Sequence, residues 1–147
     1  MYVGDILKEK GTSLITIGEE AHLLEAARLM WTRNVGALIV LAPDGRLHGV
    51  ISEREIIKAI AQWHQSPVPL VQDHMLAGGP IVAPSDSVLV AMHVMTQQRV
   101  RHLPVVRDRA VVGLISIGDI VKARLSEKIA ENIVLQDMAG WPRPQLA

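Results

Sequence analysis

Hydrophobic and polar positions alternate along the chain in a pattern that occurs twice. Apolar residues recur at helical spacing over residues 23–35 and again over 88–100, which predicts two amphipathic helices. After each helix, two short apolar runs flank a polar turn, as expected for a β-hairpin. The four runs span residues 36–40 and 47–51 in the first half and 101–106 and 111–115 in the second.

The repetition extends to single residues. "GVISEREIIKA" (49–59) matches "GLISIGDIVKA" (113–123), and a second helix is predicted to begin at the serine of each phrase. Brief lead-in strands are predicted at "LITI" (14–17) and "PIVA" (80–83), which gives the order β-α-β-β-α twice and an α+β fold. Upstream, "VGDIL" matches "VQDHM".

These matches divide the chain into a first domain at residues 1–65, a second at 66–125, and an extension with a tail at 126–147. A Pro-containing linker, "QWHQSPVPL", joins the two copies. Because a unit of about 60 residues is only marginally stable alone, the copies are predicted to pack together.

The extension is predicted to continue the last helix to a stop near Gly140 and Pro142. Leu125, Ile129 and Ile133 recur at every fourth position, with Met138 further on. This stripe either covers the module's own core or contacts a second subunit.

Composition narrows the classes of function. Fifteen basic and fifteen acidic residues cancel, which disfavours nucleic-acid or membrane-surface binding. With 3% aromatic residues, few side chains are available to stack bases. There is no Cys, and the apolar runs are too short for a signal peptide or a bilayer span. We expect a soluble, cytoplasmic protein.

Neither hydrolysis nor metal binding explains the repeated phrase. A nucleophile elbow needs Gly two residues before the Ser, whereas Gly113 lies three before Ser116. No two of the six His residues are three or four positions apart, so no helical pair of metal ligands is predicted. We therefore expect no catalytic residue and no metal.

Two readings of the phrase remain. In the first, Ser52–Glu55 and Ser116–Asp119 are capping boxes, and Ser52–Glu55 is the better one because Asp reaches less far than Glu. In the second, the helix amides and the Ser hydroxyl bind phosphate, while the acidic residue accepts bonds from a ribose diol. Cations that would neutralise phosphate, or else lie on exposed surfaces, are Lys58, Lys122, Arg101 and His102.

The tandem repeats, "RHLPVV" and "GLISIGDIVKA" together resemble a pair of cystathionine-β-synthase (CBS) domains, also called a Bateman module. The resemblance covers about residues 3 to 125 and is closest to small stand-alone bacterial proteins of this family. It implies copies packed pseudo-symmetrically through their sheets, with two clefts that bind AMP, ATP, NAD or S-adenosylmethionine. It also implies a regulatory protein rather than an enzyme, a homodimer and a downstream protein partner.

The resemblance also assigns roles to residues. It implies that Ser116 contacts phosphate and that Asp119 holds the ribose diol, with Ser52 and Glu55 as the equivalents in the first copy. The adenine is then expected to lie against the apolar strands and the lead-ins. The contact residues are Ile81, Val82, Leu103 and Pro104 in the second copy and Thr16, Ile17, Ala37 and Leu38 in the first.

The first copy departs from the family pattern at two points. It has Glu55 where Asp is usual, and "GALIV" lacks the Arg-His pair of the second copy, although Arg54 is close by in sequence. We therefore predict that the Ser116/Asp119 cleft is the better nucleotide site. The alternative is a structural or interaction module that binds no ligand.

Overall fold

The computed structural model describes residues 1–11, 14–65 and 67–140. Helices and strands alternate in two similar halves, which confirms the predicted α+β fold and both hairpins. The helices are α1 (Val3–Lys10), α2 (Leu23–Arg33), α3 (Glu53–Gln62), α4 (Val71–His74), α5 (Val88–Gln98) and α6 (Ile117–Met138); the strands are β1 (Thr16–Gly18), β2 (Ala37–Leu41), β3 (Leu47–Ser52), β4 (Leu76–Ala77), β5 (His102–Arg107) and β6 (Ala110–Ser116).

The first sheet has the strand order β1-β2-β3-β4, with β1 parallel to β2 and the other neighbours antiparallel. The second sheet consists of the hairpin β5-β6. The predicted lead-in strand at residues 80–83 is reduced to a single parallel bridge between Val82 and Val105. The halves are therefore similar but not identical at their lead-ins.

Each half has its own aliphatic core on the helix-covered side of its sheet. In the first core, α2 and α3 pack on Leu38, Val40 and Ile51; in the second, α5 and α6 pack on Leu103, Val105 and Ile115. Because side chains alternate along a strand, every second residue of each hairpin points away from its core. Those alternate residues include Ser52, His102, Pro104 and Ser116.

The short helices that begin the two copies are exchanged between the cores. Val3, Ile6 and Leu7 of α1 belong to the core of the second copy, whereas Val71 of α4 belongs to the core of the first. This exchange ties the two halves together. The predicted boundary between residues 65 and 66 stays a prediction.

The exchange also explains why a glycine recurs at the same place in both hairpins. A Cβ at Gly49 would collide with the backbone carbonyl oxygen of Leu76, and a Cβ at Gly113 would lie 2.5 Å from Leu7 Cδ2. At Gly49 the contact is with the backbone of β4, which pairs with β3, and at Gly113 it is with the Leu7 side chain of α1. A strand residue without a side chain permits this close approach.

The last helix runs for 22 residues, as the sequence predicts, and its end at Met138 agrees with a stop near Gly140. Pro142 and the rest of the predicted tail lie outside the described residues. Within the described part of the chain, no helix is long and apolar enough to cross a membrane.

The apolar stripe of α6 does not cover the module's own core. Leu125 and Ile129 are more than half exposed, and Met138 is 81% exposed. The reading in which the stripe covers that core is therefore wrong for these three residues, whereas Ile133 is half-buried. Apolar side chains are also exposed on the other helices, at Leu24, Trp31, Ile57, Ile60, Leu89 and Val90.

Candidate functional site

Both repeated phrases place their serine at the N-cap of a helix, at the end of the second strand of a hairpin. Ser52 precedes α3 and Ser116 precedes α6. Both reciprocal bonds of a capping box form between Ser116 and Asp119, whereas between Ser52 and Glu55 only the bond from the serine amide to the carboxylate forms. The second reading of the phrase requires the same geometry, since a helix N-terminus presents unpaired amides to an anion. The box and the anion site therefore share atoms.

The two boxes differ in how their hydroxyl groups are used. Ser116 Oγ accepts a hydrogen bond from the Asp119 amide at 3.1 Å, and Asp119 Oδ2 accepts from the Ser116 amide at 2.8 Å. The Ser116 hydroxyl also donates toward the Asp119 carboxylate, so a ligand oxygen that takes its proton replaces this carboxylate as the acceptor.

In the first copy, Glu55 Oε2 accepts from the Ser52 amide at 2.7 Å and also from the Ser52 hydroxyl. The hydroxyl proton is thus used inside the protein. The prediction that Ser52–Glu55 is the better box is wrong: the longer Glu side chain folds back onto the serine itself, and the Ser52 side chain makes no hydrogen bond to the helix amides.

Two clefts lie where residues of both copies meet. The Glu55 cleft, of about 1060 Å³, contains Ser52 and Glu55 of the first copy together with Ile81, Arg101 and Pro104 of the second. The Asp119 cleft, of about 470 Å³, contains Ser116 and Asp119 of the second copy together with Leu14, Ile15 and Ala37 of the first. His102 borders both clefts.

The structure therefore pairs the predicted residues across the copies. Sequence reasoning placed Ile81 and Pro104 beside Ser116, and Ala37 beside Ser52, because it grouped residues within one copy. In the structure each helix N-terminus faces the strands and lead-in of the other copy. Arg101 lies beside the N-terminus of α6 as expected, since its carbonyl oxygen accepts from the Ile117 amide at 2.8 Å, but it borders the Glu55 cleft together with Arg54 and Lys58.

Six of the predicted contact residues lie outside both clefts. Leu38 and Leu103 are fully buried and Val82 is 3% exposed, because all three point into the aliphatic cores. Thr16 and Ile17 lie on β1 away from either cleft lining, and Ile17 packs against the first core. Lys122 is exposed on α6 and borders neither cleft.

A lysine that sequence reasoning missed contacts the predicted ribose-binding carboxylate. Lys10 Nζ donates to Asp119 Oδ2 at 2.8 Å and to the Leu114 carbonyl oxygen at 2.9 Å. Burial alone would raise the pKa of Asp119, but the bonds from Lys10 and from the Ser116 amide outweigh it and hold that pKa below its ordinary value. Asp119 is therefore charged at neutral pH.

His102 experiences the opposite influence. Burial, together with the charge of Lys10, lowers the pKa of His102, and the nearby acids Glu53, Glu55 and Asp119 counter this only in part. The His102 imidazole, which borders both clefts, is consequently neutral at pH 7. It lines the clefts as an uncharged polar group and does not balance the charge of a phosphate.

The Glu55 cleft holds more charge than the Asp119 cleft. Among the described residues its cations are Arg54, Lys58, Arg99 and Arg101, beside the acids Glu53, Glu55 and Asp73. Arg99, also missed from the sequence, occupies the left-handed position (φ 53°) that ends α5. The equivalent residue after α2 is Asn34, which prefers that conformation more than Arg does.

Metal-ligating side chains do not converge in the described part of the chain. No group of three or more His, Asp or Glu residues there is arranged to hold a metal ion.

Comparisons with known proteins agree with this architecture. A family model for the CBS domain matches residues 3–62 and 71–126. The mitochondrial CBS domain-containing protein CBSX3 of Arabidopsis thaliana is 36% identical over 134 residues, which are 85% of this chain and 65% of that protein. The chain thus spans somewhat less than two thirds of that relative.

Solved structures of similar proteins share the fold. A CBS-domain-containing protein from Agrobacterium tumefaciens superimposes with a TM-score of 0.79 at 35% identity, covering 84% of this chain and 92% of the other. The CBS domain pair of protein MJ0100, solved with 5′-methylthioadenosine and S-adenosyl-L-methionine, gives 0.77 at 26% identity over 86% and 98% of the two chains. A CBS domain protein from Pyrobaculum aerophilum, complexed with AMP, gives 0.73 at 28% over 81% and 89%.

Both repeats are matched by the family model, and solved structures of CBS-domain proteins share the fold. The chain belongs to the CBS domain family.

Proposed function

We propose that this protein is a regulatory module that binds an adenine nucleotide between its two CBS repeats and does not transform it. The observation that carries the proposal is the composition of the Asp119 cleft, where a helix N-terminus from one copy faces the lead-in and strand of the other. A ligand held there contacts both copies, so its binding changes how they pack. That coupling is what a sensing module requires.

The polar groups of the Asp119 cleft suit an adenosine moiety. Asp119 is charged, and the bonds from Lys10 and from the Ser116 amide both go to Oδ2, which leaves Oδ1 able to accept from a ribose hydroxyl. The Ser116 hydroxyl can rotate its proton from the Asp119 carboxylate to a phosphate oxygen. Ile15 and Ala37 supply an apolar surface for the base.

The relatives support the class of ligand. AMP, 5′-methylthioadenosine and S-adenosyl-L-methionine, found with the two similar CBS proteins, have an adenosine moiety in common. We propose AMP or another adenine nucleotide, with ATP and NAD as alternatives. The Asp119 cleft is the tighter site, and the Glu55 cleft, which is larger and richer in cations, favours a ligand with more phosphate groups.

A second candidate is a module that binds partner proteins and no small ligand. The observation in its favour is the apolar surface of the helices, where Trp31 is 89% and Ile57 67% exposed. We propose that these faces pair in a homodimer and that a downstream protein reads the packing of the repeats. The two candidates differ in whether a nucleotide stabilises the fold.

The proposed function is tested by titrating the protein with AMP, ADP, ATP, NAD and S-adenosylmethionine, using calorimetry and thermal unfolding. We expect micromolar binding of at least one ligand and a higher Tm in its presence, because a ligand that binds only the folded state stabilises it. Chromatography after long incubation should recover the nucleotide unchanged. No binding and no Tm shift would leave the interaction module as the remaining reading.

A further inference from the structure

Lys10 lies at the C-terminal end of α1, the helix that the first copy contributes to the core of the second. Val3, Ile6 and Leu7 anchor this helix in that core, so the position of its last residue is fixed relative to α6. From there the ammonium group reaches the Asp119 carboxylate and the Leu114 carbonyl oxygen.

The Lys10–Asp119 pair is accessible from the cleft. The side chains of Lys10 and Asp119 are 41% and 20% exposed, and both border the Asp119 cleft. An incoming hydroxyl or phosphate can therefore contact either group without unfolding any element. Among the described residues of this cleft, Arg33 is the other permanently charged cation, at the end of α2.

The Glu55 cleft lacks such a lysine. The matching segments "VGDILKEKG" (3–11) and "VQDHMLAGG" (71–79) place Gly78 at the position of Lys10. Gly78 borders the Glu55 cleft, so the residue that would neutralise Glu55 has no side chain. The chain thus contains one cleft with a built-in counter-ion at its predicted ribose acceptor and one cleft without it.

We propose that Lys10 makes the Asp119 cleft selective for nucleotides over nucleosides. A ribose diol that uses both hydroxyls needs Oδ2 as well as Oδ1, so it competes with the ammonium at Oδ2, and a ligand without an anionic group gives the displaced ammonium no charged partner. A nucleotide supplies a phosphate that takes up the ammonium in a charge-assisted hydrogen bond. This inference rests on the proposed function of the cleft and adds a specificity-determining residue to it.

The test compares AMP with adenosine by calorimetry on the full chain. The site is defined by the component of binding that Asp119→Ala removes. Lys10→Met keeps the apolar stem and deletes the charge, and we expect AMP to bind roughly tenfold more weakly, the effect of losing one charge-assisted hydrogen bond. Adenosine should bind as well as before or better. The Kd of adenosine divided by the Kd of AMP should therefore fall about tenfold or more.

Two matched variants control for indirect effects. Lys8→Met removes a lysine from the same turn of α1 that borders neither cleft, and it should leave both Kd values unchanged. Lys10→Arg keeps a cation at the carboxylate and should retain the preference for AMP.

The outcomes separate this inference from the proposed function. Equal weakening of AMP and adenosine in Lys10→Met, or an unchanged ratio, overturns the role of Lys10 while nucleotide binding stands. A wild-type protein that binds neither adenosine nor any of AMP, ADP, ATP and NAD overturns the proposed function and this inference with it.

Discussion

The two clefts are made from equivalent parts of the two copies, yet they differ in size, charge and use of the serine hydroxyl. The Glu55 cleft is about 1060 Å³ and the Asp119 cleft about 470 Å³. Part of this difference comes from the exchanged helices: α1 continues to Lys10 and places a cation in its cleft, whereas α4 ends at His74 and the chain continues as β4 along β3. A small change in the lead-in thus gives two unequal sites.

The largest expected differences in stability between the two copies come from substitutions at Gly49 and Gly113, which contact the exchanged segments. Gly49→Ala should destabilise the fold by about 3 kcal/mol, the upper end of overpacking effects, since the added methyl group meets the Leu76 backbone, which is part of a strand. Gly113→Ala should cost only about 1 kcal/mol, because the Leu7 side chain that it meets can change rotamer. Urea unfolding measures both.

A control for this pair is Gly113→Ala combined with Leu7→Ala. If the methyl group at position 113 acts through Leu7, its cost should fall in the double variant relative to Leu7→Ala alone. Equal losses of unfolding free energy in Gly49→Ala and Gly113→Ala would mean that the backbone contact and the side-chain contact oppose the added methyl group equally. The expected difference in stability between the two variants would then be wrong.

Substituting the acidic residue of each cleft should affect AMP binding to different extents. Asp119→Ala should weaken AMP binding at least tenfold, about 1.4 kcal/mol, because it removes the carboxylate that accepts the diol. Glu55→Ala should change AMP binding by less than about threefold, since Glu55 does not border the cleft in which AMP is proposed to bind tightly. Calorimetry with each variant gives both values, and a reversed order would assign the tighter site to the larger cleft.

The fold could be predicted from the sequence because each helix and each hairpin occurs in both copies, so the pattern in one copy supports the interpretation of the other. Periodicity predicted α2, α5 and both hairpins, and the recurring Ser-x-x-acid pattern located the two helix N-termini beside the clefts. These features are local, and each is specified by a few neighbouring residues. The predicted placement of Ser116 and Asp119 at a cleft therefore agrees with the structure.

What the sequence could not provide was the arrangement across the copies. Ile81 and Pro104 were grouped with Ser116 because they share a repeat, but the exchange of α1 and α4 and the packing of the sheets bring them to Ser52. Such pairings depend on long-range packing, which no local pattern encodes. Lys10 was missed for the same reason, although its alignment with Gly78 was already a visible difference between the repeats.

The two capping boxes should also contribute unequally to stability. Ser116→Ala should lower the free energy of unfolding by about 1 kcal/mol, because it removes the hydroxyl that accepts the Asp119 amide at 3.1 Å. Ser52→Ala should cost less than about 0.5 kcal/mol, since its hydroxyl bonds to Glu55 and to no helix amide. Chemical denaturation decides the order, and a larger loss at Ser52 would restore the ranking expected from side-chain length.

The smallest expected effect concerns the Lys10–Asp119 pair in the absence of ligand. The pKa of folded Asp119 lies below its ordinary value, so the unfolded chain binds more protons than the folded one in acid. The contribution of the pair is then fully present above the unfolded pKa and is lost as the pH falls through the folded pKa.

Lys10→Met should lower the free energy of unfolding by less than about 1 kcal/mol at neutral pH, because the pair is partly exposed and screened. That difference from wild type should vanish in acid. Unfolding curves measured from neutral pH to pH 2 would show it; Lys8→Met should show no such change, and a Lys10→Met difference independent of pH would mean that Lys10 acts through packing of its stem.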